Sequence, residues 1–268
     1  VELAKEMNGE VISCDSMQIY RRMDIGTAKP TLAEMDGVPH HMLDVASPEE
    51  NFSVARYQEM AEQIAAGIIA RGKRPLFVGG TGLYLRALRH PMAMGAVAGD
   101  DAIRAELEAK AEQEGGREEL HRLLAEVDPP TAERLHVNDV RRVVRALEVW
   151  RLTGKPFSQQ PSVEGEPPFR YRVATLTMDR ALLYQRIEQR VDQMLRDGLV
   201  EEIRGLLAAG VSADAQAMKA IGYKEPMAAL RGEMTMAEAV DKIKQESRRY
   251  AKRQLTWFRR NKAMHWLT

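Results

Sequence analysis

Apolar residues recur along this chain with two alternating periods, which predict strands followed by helices. Short apolar runs at residues 10–15 and 75–79 are typical of buried strands. Residues 52–70 instead repeat apolar positions at helical spacing, and another helix is predicted from residue 82 to about residue 88. Residues 41–45 are a weaker strand candidate. Strand and helix in alternation indicate a parallel sheet with helical crossovers.

The pattern changes in the middle of the chain. Residues 95–154 carry helical spacing only, and a run with scattered prolines and glycines follows at 155–168. A strand is predicted at 171–178, then helices up to 261, and a last strand at 264–267. We therefore expect an α/β core formed by residues 1–95 and 166–268. An all-helical insertion domain at 96–165 would interrupt it.

Composition is that of an ordinary globular protein. The 268 residues are 44% hydrophobic and 29% charged, with no signal-peptide pattern and no run long enough to cross a bilayer. Cys14 is the only cysteine, which excludes an intramolecular disulfide. A cytoplasmic setting is expected. The formal net charge of zero argues against coating nucleic acid by bulk charge, but it leaves room for a local basic face.

Positive charge is concentrated near the carboxyl end. Between residues 242 and 262 nine lysines and arginines stand against one acid, Glu246, with Tyr250, Trp257 and Phe258 interleaved. A solvated helix usually mixes both signs, so this imbalance predicts a surface for a polyanion. A second basic cluster, Arg141, Arg142 and Arg145, lies on one predicted helix.

Two strand ends carry candidate chemistry. The strand at 10–15 ends on Asp15, at the sheet edge where ligands bind in open α/β folds, although Asp15 could simply cap the next turn. The strand at 75–79 runs into GGTG, whose glycines open a helix that could face an anion. Thr81 in that loop is either an N-cap or a ligand hydroxyl.

Other groups of residues give weaker evidence for a functional site. The stretch GIIARGK at 67–73 is similar to a phosphate-binding loop, but it lacks the final hydroxyl and runs from helix to strand. Cys14 lies inside an apolar strand, which disfavours a nucleophile paired with His40 or His41, and those histidines lack a third metal ligand. On the helix near 186–192, Arg186 and Arg190 either pair with Glu188 and Asp192 or clamp a phosphate.

Long motifs connect the chain to a known family. DSMQIY at 15–20, MDIGTAKP at 23–30, GGTGLY at 79–84 and RIEQRVDQML at 186–195 resemble motifs of the tRNA dimethylallyltransferases. HVNDVRRVVRALE at 136–148, TGKP at 153–156, AIGYKE at 220–225 and AKRQLTWFRR at 251–260 do so as well, in family order. The resemblance covers almost the whole chain.

The resemblance implies a P-loop NTPase-like parallel sheet flanked by helices, with an all-helical insertion domain. It implies transfer of a dimethylallyl group from dimethylallyl diphosphate to N6 of the adenosine 3′ of the anticodon. Asp15 would be the general base, Arg190 would bind the diphosphate, and Thr81 would lie beside both substrates. The positions matching tRNA-binding residues of the family are Asp15, Ser16, Met17, Gln18, Thr81, Arg104, Arg141, Arg142, Arg145, Lys219, Gly222, Tyr223, Lys224, Lys252, Arg253, Gln254, Trp257 and Arg259.

The family also implies Mg²⁺ as cofactor and tRNA as partner, through its anticodon stem-loop, and we expect a monomer that does not use a membrane. A family phosphate loop, G-x-x-x-x-G-K-[ST], is expected upstream of Val1, because the first residues read as the end of a helix. Two alternatives stay open: an adenylate isopentenyltransferase that uses a free nucleotide, and a catalytically silent tRNA-binding protein.

Overall fold

The computed structural model describes residues 1–90, 97, 99–160, 166–261 and 264–268. The chain divides into two compact units. The first combines Val1–His90 with Pro167–Thr268, and the second is Pro91–Glu166. Each has its own hydrophobic core.

The first unit is organised around a parallel sheet. Its central strand, β1 (Gly9–Ser13), is buried at every position and lies between β2 (His40–His41) and β3 (Arg74–Val78). Gly9 pairs with Arg74 and Ser13 pairs with Val78, so both strands end at the same edge. A second parallel pair is formed by β4 (Ala174–Leu176) and β5 (His265–Leu267).

Helices pack around these strands. The described helices of this unit are α1 (Glu2–Glu6), α2 (Leu32–Met35), α3 (Val54–Ala70), α4 (Gly82–Arg89), α9 (Arg180–Arg196), α10 (Leu199–Ala208), α11 (Lys224–Leu230) and α12 (Met236–Arg259). Tyr57 of α3 stacks on Tyr84 of α4 with ring centroids 3.7 Å apart, and its hydroxyl donates to the carbonyl of Ser13. These contacts hold both helices against the carboxyl end of β1.

The second unit is helical throughout its described regular structure. It contains α5 (Asp101–Ala111), α6 (Gly116–Val127), α7 (Pro129–Arg134) and α8 (Val140–Thr153), followed by a 3-10 turn at Phe157–Gln159. Leu107, Leu120, Leu124 and Leu147, one to two from each longer helix, are buried in its core. Asp128 caps α7 through the backbone N–H of Thr131.

The predicted fold class, a parallel α/β core with an all-helical unit, is confirmed. The predicted strand at 41–45 is wrong beyond His41, because Met42 and Asp44 have φ of 61° and 56°, which no strand residue adopts. The strand predicted at 171–178 is shorter and covers only Ala174–Leu176. None of the helices described here is long and apolar enough to span a bilayer.

The stretch at 67–73, which is similar to a phosphate-binding loop in sequence, has a structural role. Glu10 of β1 has a side chain only 4% exposed, and its carboxylate binds Arg71, Lys73 and His41 at 2.8, 2.9 and 2.7 Å. Burial raises the pKa of Glu10, but the hydrogen bonds from Lys73, His41 and Arg71 outweigh it and lower the pKa to about 2. The basic residues after α3 therefore neutralise a buried acid and do not form a phosphate loop.

We expect Glu10→Gln to lower the free energy of unfolding by about 2 kcal/mol at neutral pH, because three partners lose a buried charge. The pKa of Glu10 is lower in the folded state than its ordinary 4.5, so the stabilisation is present above pH 4.5 and is lost as pH falls toward 2. Urea unfolding at several pH values measures both effects. Glu59→Gln, exposed on α3, is the control, and an equal loss in both variants would contradict the prediction.

Candidate active site

Asp15 lies just beyond the carboxyl end of β1 and is half-buried. Its Oδ1 accepts hydrogen bonds from the backbone N–H of Met17 at 2.7 Å and of Gln18 at 3.4 Å. Its Oδ2 has no hydrogen-bond partner within the described parts of the chain. One oxygen therefore caps the following turn, as the simpler alternative predicted, and the other is free for a ligand.

Burial raises the pKa of Asp15, and the hydrogen bonds from Met17 and Gln18 offset only part of the rise. A carboxylate with a raised pKa is a stronger base than an exposed one. The environment of Asp15 is thus suited to accept a proton.

Thr81 joins the ends of the two longer strands. It occupies the N-cap position of α4, but its hydroxyl makes no capping bond there. Instead Oγ1 accepts from the backbone N–H of Ser16 at 3.0 Å and lies 3.3 Å from Ser16 Oγ, and the Thr81 N–H donates to the carbonyl of Cys14. The Thr81 hydroxyl therefore does not act as the N-cap of α4, which was one of its two predicted roles.

The GGTG loop contains glycine because its neighbours leave no room for side chains. A Cβ on Gly79 would lie 2.3 Å from the carbonyl oxygen of Cys14, and one on Gly82 would lie 2.4 Å from the Trp257 ring. Gln254 of α12 donates from Nε2 to the carbonyl of Gly80 at 3.0 Å. Two residues predicted on the basic helix, Gln254 and Trp257, therefore hold the loop beside Asp15.

Tyr250 also belongs to this site, although the sequence marks it only as one of three aromatic residues in the basic segment at 242–262. Burial raises the pKa of its hydroxyl and the Asp15 carboxylate adds to the rise, whereas hydrogen bonding to Gln254 and Thr81 opposes it. Positions 250, 254 and 257 recur at i, i+4 and i+7, so they share one face of α12. That spacing is the signal that could have revealed it.

Gln18 connects the strand to the loop that follows. Its Oε1 accepts from Ser13 Oγ at 2.9 Å, and its Nε2 donates to the carbonyls of Thr27 and Ala28 at 3.3 and 3.2 Å. Ser16 and Met17 are half-buried beside it. The DSMQ segment is thus fixed by its own side chains.

The acidic side chains and the arginines of α9 differ in their contacts. Glu188 binds Arg248, and Asp192 binds Lys244 at 2.6 Å, so the acids pair with α12 and not within their own helix. Arg186 and Arg190 are exposed and form no salt bridge with any residue the structure describes. Both arginines are therefore available to an anion.

The segment from 219 to 225 presents two exposed lysines, Lys219 and Lys224. Gly222, at φ +95°, donates its N–H to Glu225 Oε2 at 2.8 Å. Tyr223 is fully buried with its hydroxyl on Glu202, so its ring cannot contact a ligand directly in this structure, and it supports the fold instead.

The lysines and arginines of α12 fall into two groups. Lys244, Arg248 and Arg249 bind acids, whereas the cations toward the end of the helix form no salt bridge among the residues described. The exposed, unbridged members that were predicted to bind tRNA are Lys252, Arg253 and Arg259. The guanidinium of Arg253 lies 5.7 Å from the Tyr250 ring centroid. Lys262 lies outside the described residues.

In the second unit, most predicted arginines have protein partners. Arg104 and Arg145 both bind the fully buried Glu148, at 2.8 and 2.7 Å, and Arg142 binds Asp139. Burial raises the pKa of Glu148, but hydrogen bonds from Arg145 and the Asp100 N–H outweigh it and leave the pKa lowered. Arg141 is exposed and forms no salt bridge with the described residues.

Comparisons with known proteins decide the family. A sequence model of the family described as IPP transferase matches residues 18–261. The chain is 51% identical to the tRNA dimethylallyltransferase of Geobacter metallireducens, covering 100% of this chain and 86% of that protein. It is 50% identical to the tRNA dimethylallyltransferase of Halalkalibacterium halodurans, over 99% of this chain and 85% of the relative.

The chain belongs to the IPP transferase family.

Solved structures agree with that assignment. The crystal structure of the full-length tRNA isopentenylpyrophosphate transferase of Bacillus halodurans matches with a TM-score of 0.71 and 48% identity, over 99% of this chain and 83% of that one. A eukaryotic dimethylallyltransferase, crystallised in snapshots of its action on tRNA, matches with a TM-score of 0.74 and 30% identity. That match covers 96% of this chain and 65% of the eukaryotic one.

The metal expected of an IPP transferase has no protein cage among the described residues. No group of three or more His, Cys, Asp or Glu side chains there could hold an ion. His41 is bound to Glu10, and His40 Nδ1 lies 2.8 Å from the carbonyl of Val38. Asp15 alone does not make a metal centre.

Proposed function

We propose that this IPP transferase moves the dimethylallyl group of dimethylallyl diphosphate to N6 of the adenosine immediately 3′ of the anticodon in tRNA. The family and the activity named for relatives at about half identity over the whole chain support it. The single observation in the site that carries the proposal is Asp15, a half-buried carboxylate with a raised pKa and one oxygen without a hydrogen-bond partner among the described residues, at the strand edge.

The reaction needs a base because the lone pair of an exocyclic amine is delocalised into the adenine ring. Asp15 takes a proton from N6 while N6 forms a bond to the first carbon of the dimethylallyl group. The bond from that carbon to oxygen breaks, and its electron pair leaves with diphosphate. Such general-base assistance is worth about 10²–10⁴-fold in rate.

The leaving diphosphate gains negative charge as the bond breaks, so a cation near it stabilises the transition state more than the ground state. Arg190, exposed and without a salt bridge among the described residues, is proposed for this role, with Thr81 beside both substrates. Mg²⁺ is proposed to accompany the diphosphate, since this ion is usually held by substrate phosphates with few protein ligands. No step above depends on it.

The proposed partner is the anticodon stem-loop of tRNA, bound by exposed cations. In the first unit these are Lys219, Lys224, Lys252, Arg253 and Arg259, and in the second Arg141 and Arg142, with Arg104 and Arg145 sharing their charge with Glu148. The target base would leave its stack to reach Asp15, as bases of RNA loops readily do. We propose that the protein acts as a monomer in the cytoplasm, where its substrate is found.

Labelled dimethylallyl diphosphate, offered with tRNA and with AMP in parallel reactions, tests the proposal. Label in tRNA and none in AMP is the expected result. Label in AMP alone would favour the adenylate isopentenyltransferase, and tight tRNA binding without label in either acceptor would favour the silent binding protein.

Lys252→Ala and Arg253→Ala are expected to weaken tRNA binding and leave the transfer rate at saturating tRNA nearly unchanged. Each lost phosphate contact should reduce the slope of log affinity against log salt by roughly 0.7–0.9. Binding titrations at several salt concentrations measure it. Arg249→Ala is the matched control on the same helix, because Arg249 is exposed but already bound to Glu246. If all three variants kept the original slope, the unbridged end of α12 would not touch RNA.

A further inference from the structure

Glu202 of α10 fills a concave site formed by backbone N–H groups. Its Oε2 accepts from the N–H of Asp24 at 2.8 Å and of Ile25 at 2.7 Å, and its Oε1 accepts from the N–H of Gly26 at 3.2 Å. The hydroxyl of Tyr223 adds a fourth bond, to Oε1 at 2.6 Å. Successive N–H groups of this kind bind anions well, and here the anion is a side chain of the protein.

The loop that Glu202 holds is bonded directly to the candidate active site. Gln18 donates from Nε2 to the carbonyls of Thr27 and Ala28, one and two residues after the last N–H that Glu202 binds. The backbone N–H of the same Gln18 donates to Asp15 Oδ1. Glu202 is therefore connected to Asp15 by hydrogen bonds to residues 24–26, the covalent backbone of the loop, and the hydrogen bonds of Gln18.

The loop is restrained on its other side as well. Lys29, with a side chain only 6% exposed, donates from Nζ to the carbonyl of Tyr20 and binds Asp24 and Asp44 at 2.6 Å each. A Cβ at Gly26 would lie 2.5 Å from the Tyr223 ring, so the loop packs closely on the residue that also binds Glu202. Among these restraints, the Glu202 carboxylate is the one that binds the successive N–H groups in the middle of the loop.

We propose that Glu202 is a positioning residue for the transfer reaction, acting through the loop at 24–28 and Gln18 to orient the carboxylate of Asp15. The inference rests on the proposed function. It differs from a general stabilising role, because it predicts an effect on the chemical step that substrate binding does not share.

Glutamine cannot replace Glu202 in this site. A carboxylate offers acceptors at both oxygens, whereas a glutamine amide has one acceptor oxygen and an NH₂ group that donates only. In Glu202→Gln the NH₂ group would face either the N–H groups of Asp24 and Ile25 or the N–H of Gly26 and the Tyr223 hydroxyl. Because that hydroxyl can also accept, one or two of the four bonds would be lost. Small displacements of a reacting group cost up to ~10²-fold in rate.

Steady-state transfer by the complete protein, with tRNA and dimethylallyl diphosphate varied in turn, tests the proposal. We expect Glu202→Gln to lower kcat by about 10- to 100-fold, with both KM values within about threefold of the original. Glu201→Gln is the matched control, because Glu201 is the preceding residue, is exposed, and among the described residues makes only a 3.5 Å pair with Arg204. It should keep the original kcat.

A double-mutant cycle with Gln18→Ala tests the route. If Glu202 acts through Gln18, the double variant should be little slower than Gln18→Ala alone, whereas independent effects would multiply. Tyr223→Phe removes one of the four bonds and should give a smaller fall in kcat, which keeps the test available if Glu202→Gln does not fold.

The possible outcomes distinguish a failure of the positioning role from a failure of the proposed function. The positioning role would be overturned if Glu202→Gln and Tyr223→Phe both kept the kcat of the unmodified protein, or if the effects in the cycle were fully multiplicative. In either case, transfer by the unmodified protein would still support the proposed function. No transfer by the unmodified protein would overturn both.

Discussion

Replacing Asp15 with asparagine is expected to lower the single-turnover rate of dimethylallyl transfer by about 10²-fold or more, while tRNA affinity stays within a few fold. Asparagine keeps an oxygen that can accept from the N–H groups of Met17 and Gln18, so the turn after β1 should persist. What disappears is the carboxylate proposed to take the N6 proton. Rapid-mixing assays beside equilibrium tRNA binding measure the two quantities.

The pH dependence sharpens this prediction. Because burial raises the pKa of Asp15, the acid limb of kcat/KM should lie above the ordinary pKa of an aspartate, with activity lost as pH falls through it. Asp36→Asn, an exposed acid that binds Lys5, is the control and should leave the profile unchanged. Near-normal turnover in Asp15→Asn would end its assignment as general base.

Arg190→Ala is expected to slow transfer by about 10²–10³-fold, the range seen when one group that stabilises transition-state charge is removed. Its guanidinium has no salt bridge among the described residues, so the change leaves no acid unpaired there and the fold should survive. Binding of tRNA should change little. Single-turnover transfer at saturating substrates, with circular dichroism to confirm folding, measures the effect.

Arg186→Ala is the matched control for Arg190, since Arg186 lies one helical turn earlier, is also exposed and likewise forms no salt bridge with the residues described. The proposal assigns the diphosphate to Arg190 and not to Arg186. Equal losses in the two variants would indicate a diffuse electrostatic effect, and normal rates in both would remove α9 from the chemistry.

The placement of Asp15 and Thr81 could be predicted from sequence because it depends on local pattern. A short apolar run that ends on an acid, and another that ends on glycines, put both residues at the carboxyl edge of a parallel sheet. β1 and β3 form there, and the backbone N–H of Ser16 binds the Thr81 hydroxyl. Burial then raises the pKa of Asp15.

The partners of the charged residues could not be predicted, because they depend on which helices meet. Spacing makes Glu188 and Asp192 candidate partners for the arginines of α9, yet Arg248 and Lys244 of α12 bind them instead. Glu202 follows another glutamate on a surface helix and carries no motif, and only the folded loop brings three N–H groups to it. Tyr223 lies inside a motif that resembles an RNA-binding segment, but packing on Gly26 buries it.

Mapping the modified nucleotide tests the central claim most directly. After reaction of the complete protein with dimethylallyl diphosphate and unmodified tRNA, nuclease digestion and mass spectrometry locate the added group, with Asp15→Asn treated in parallel. The account predicts N6-isopentenyladenosine at the position 3′ of the anticodon with the unmodified protein, and at most a trace with the variant. A dimethylallyl group at another nucleotide, or equal modification by both proteins, would contradict it.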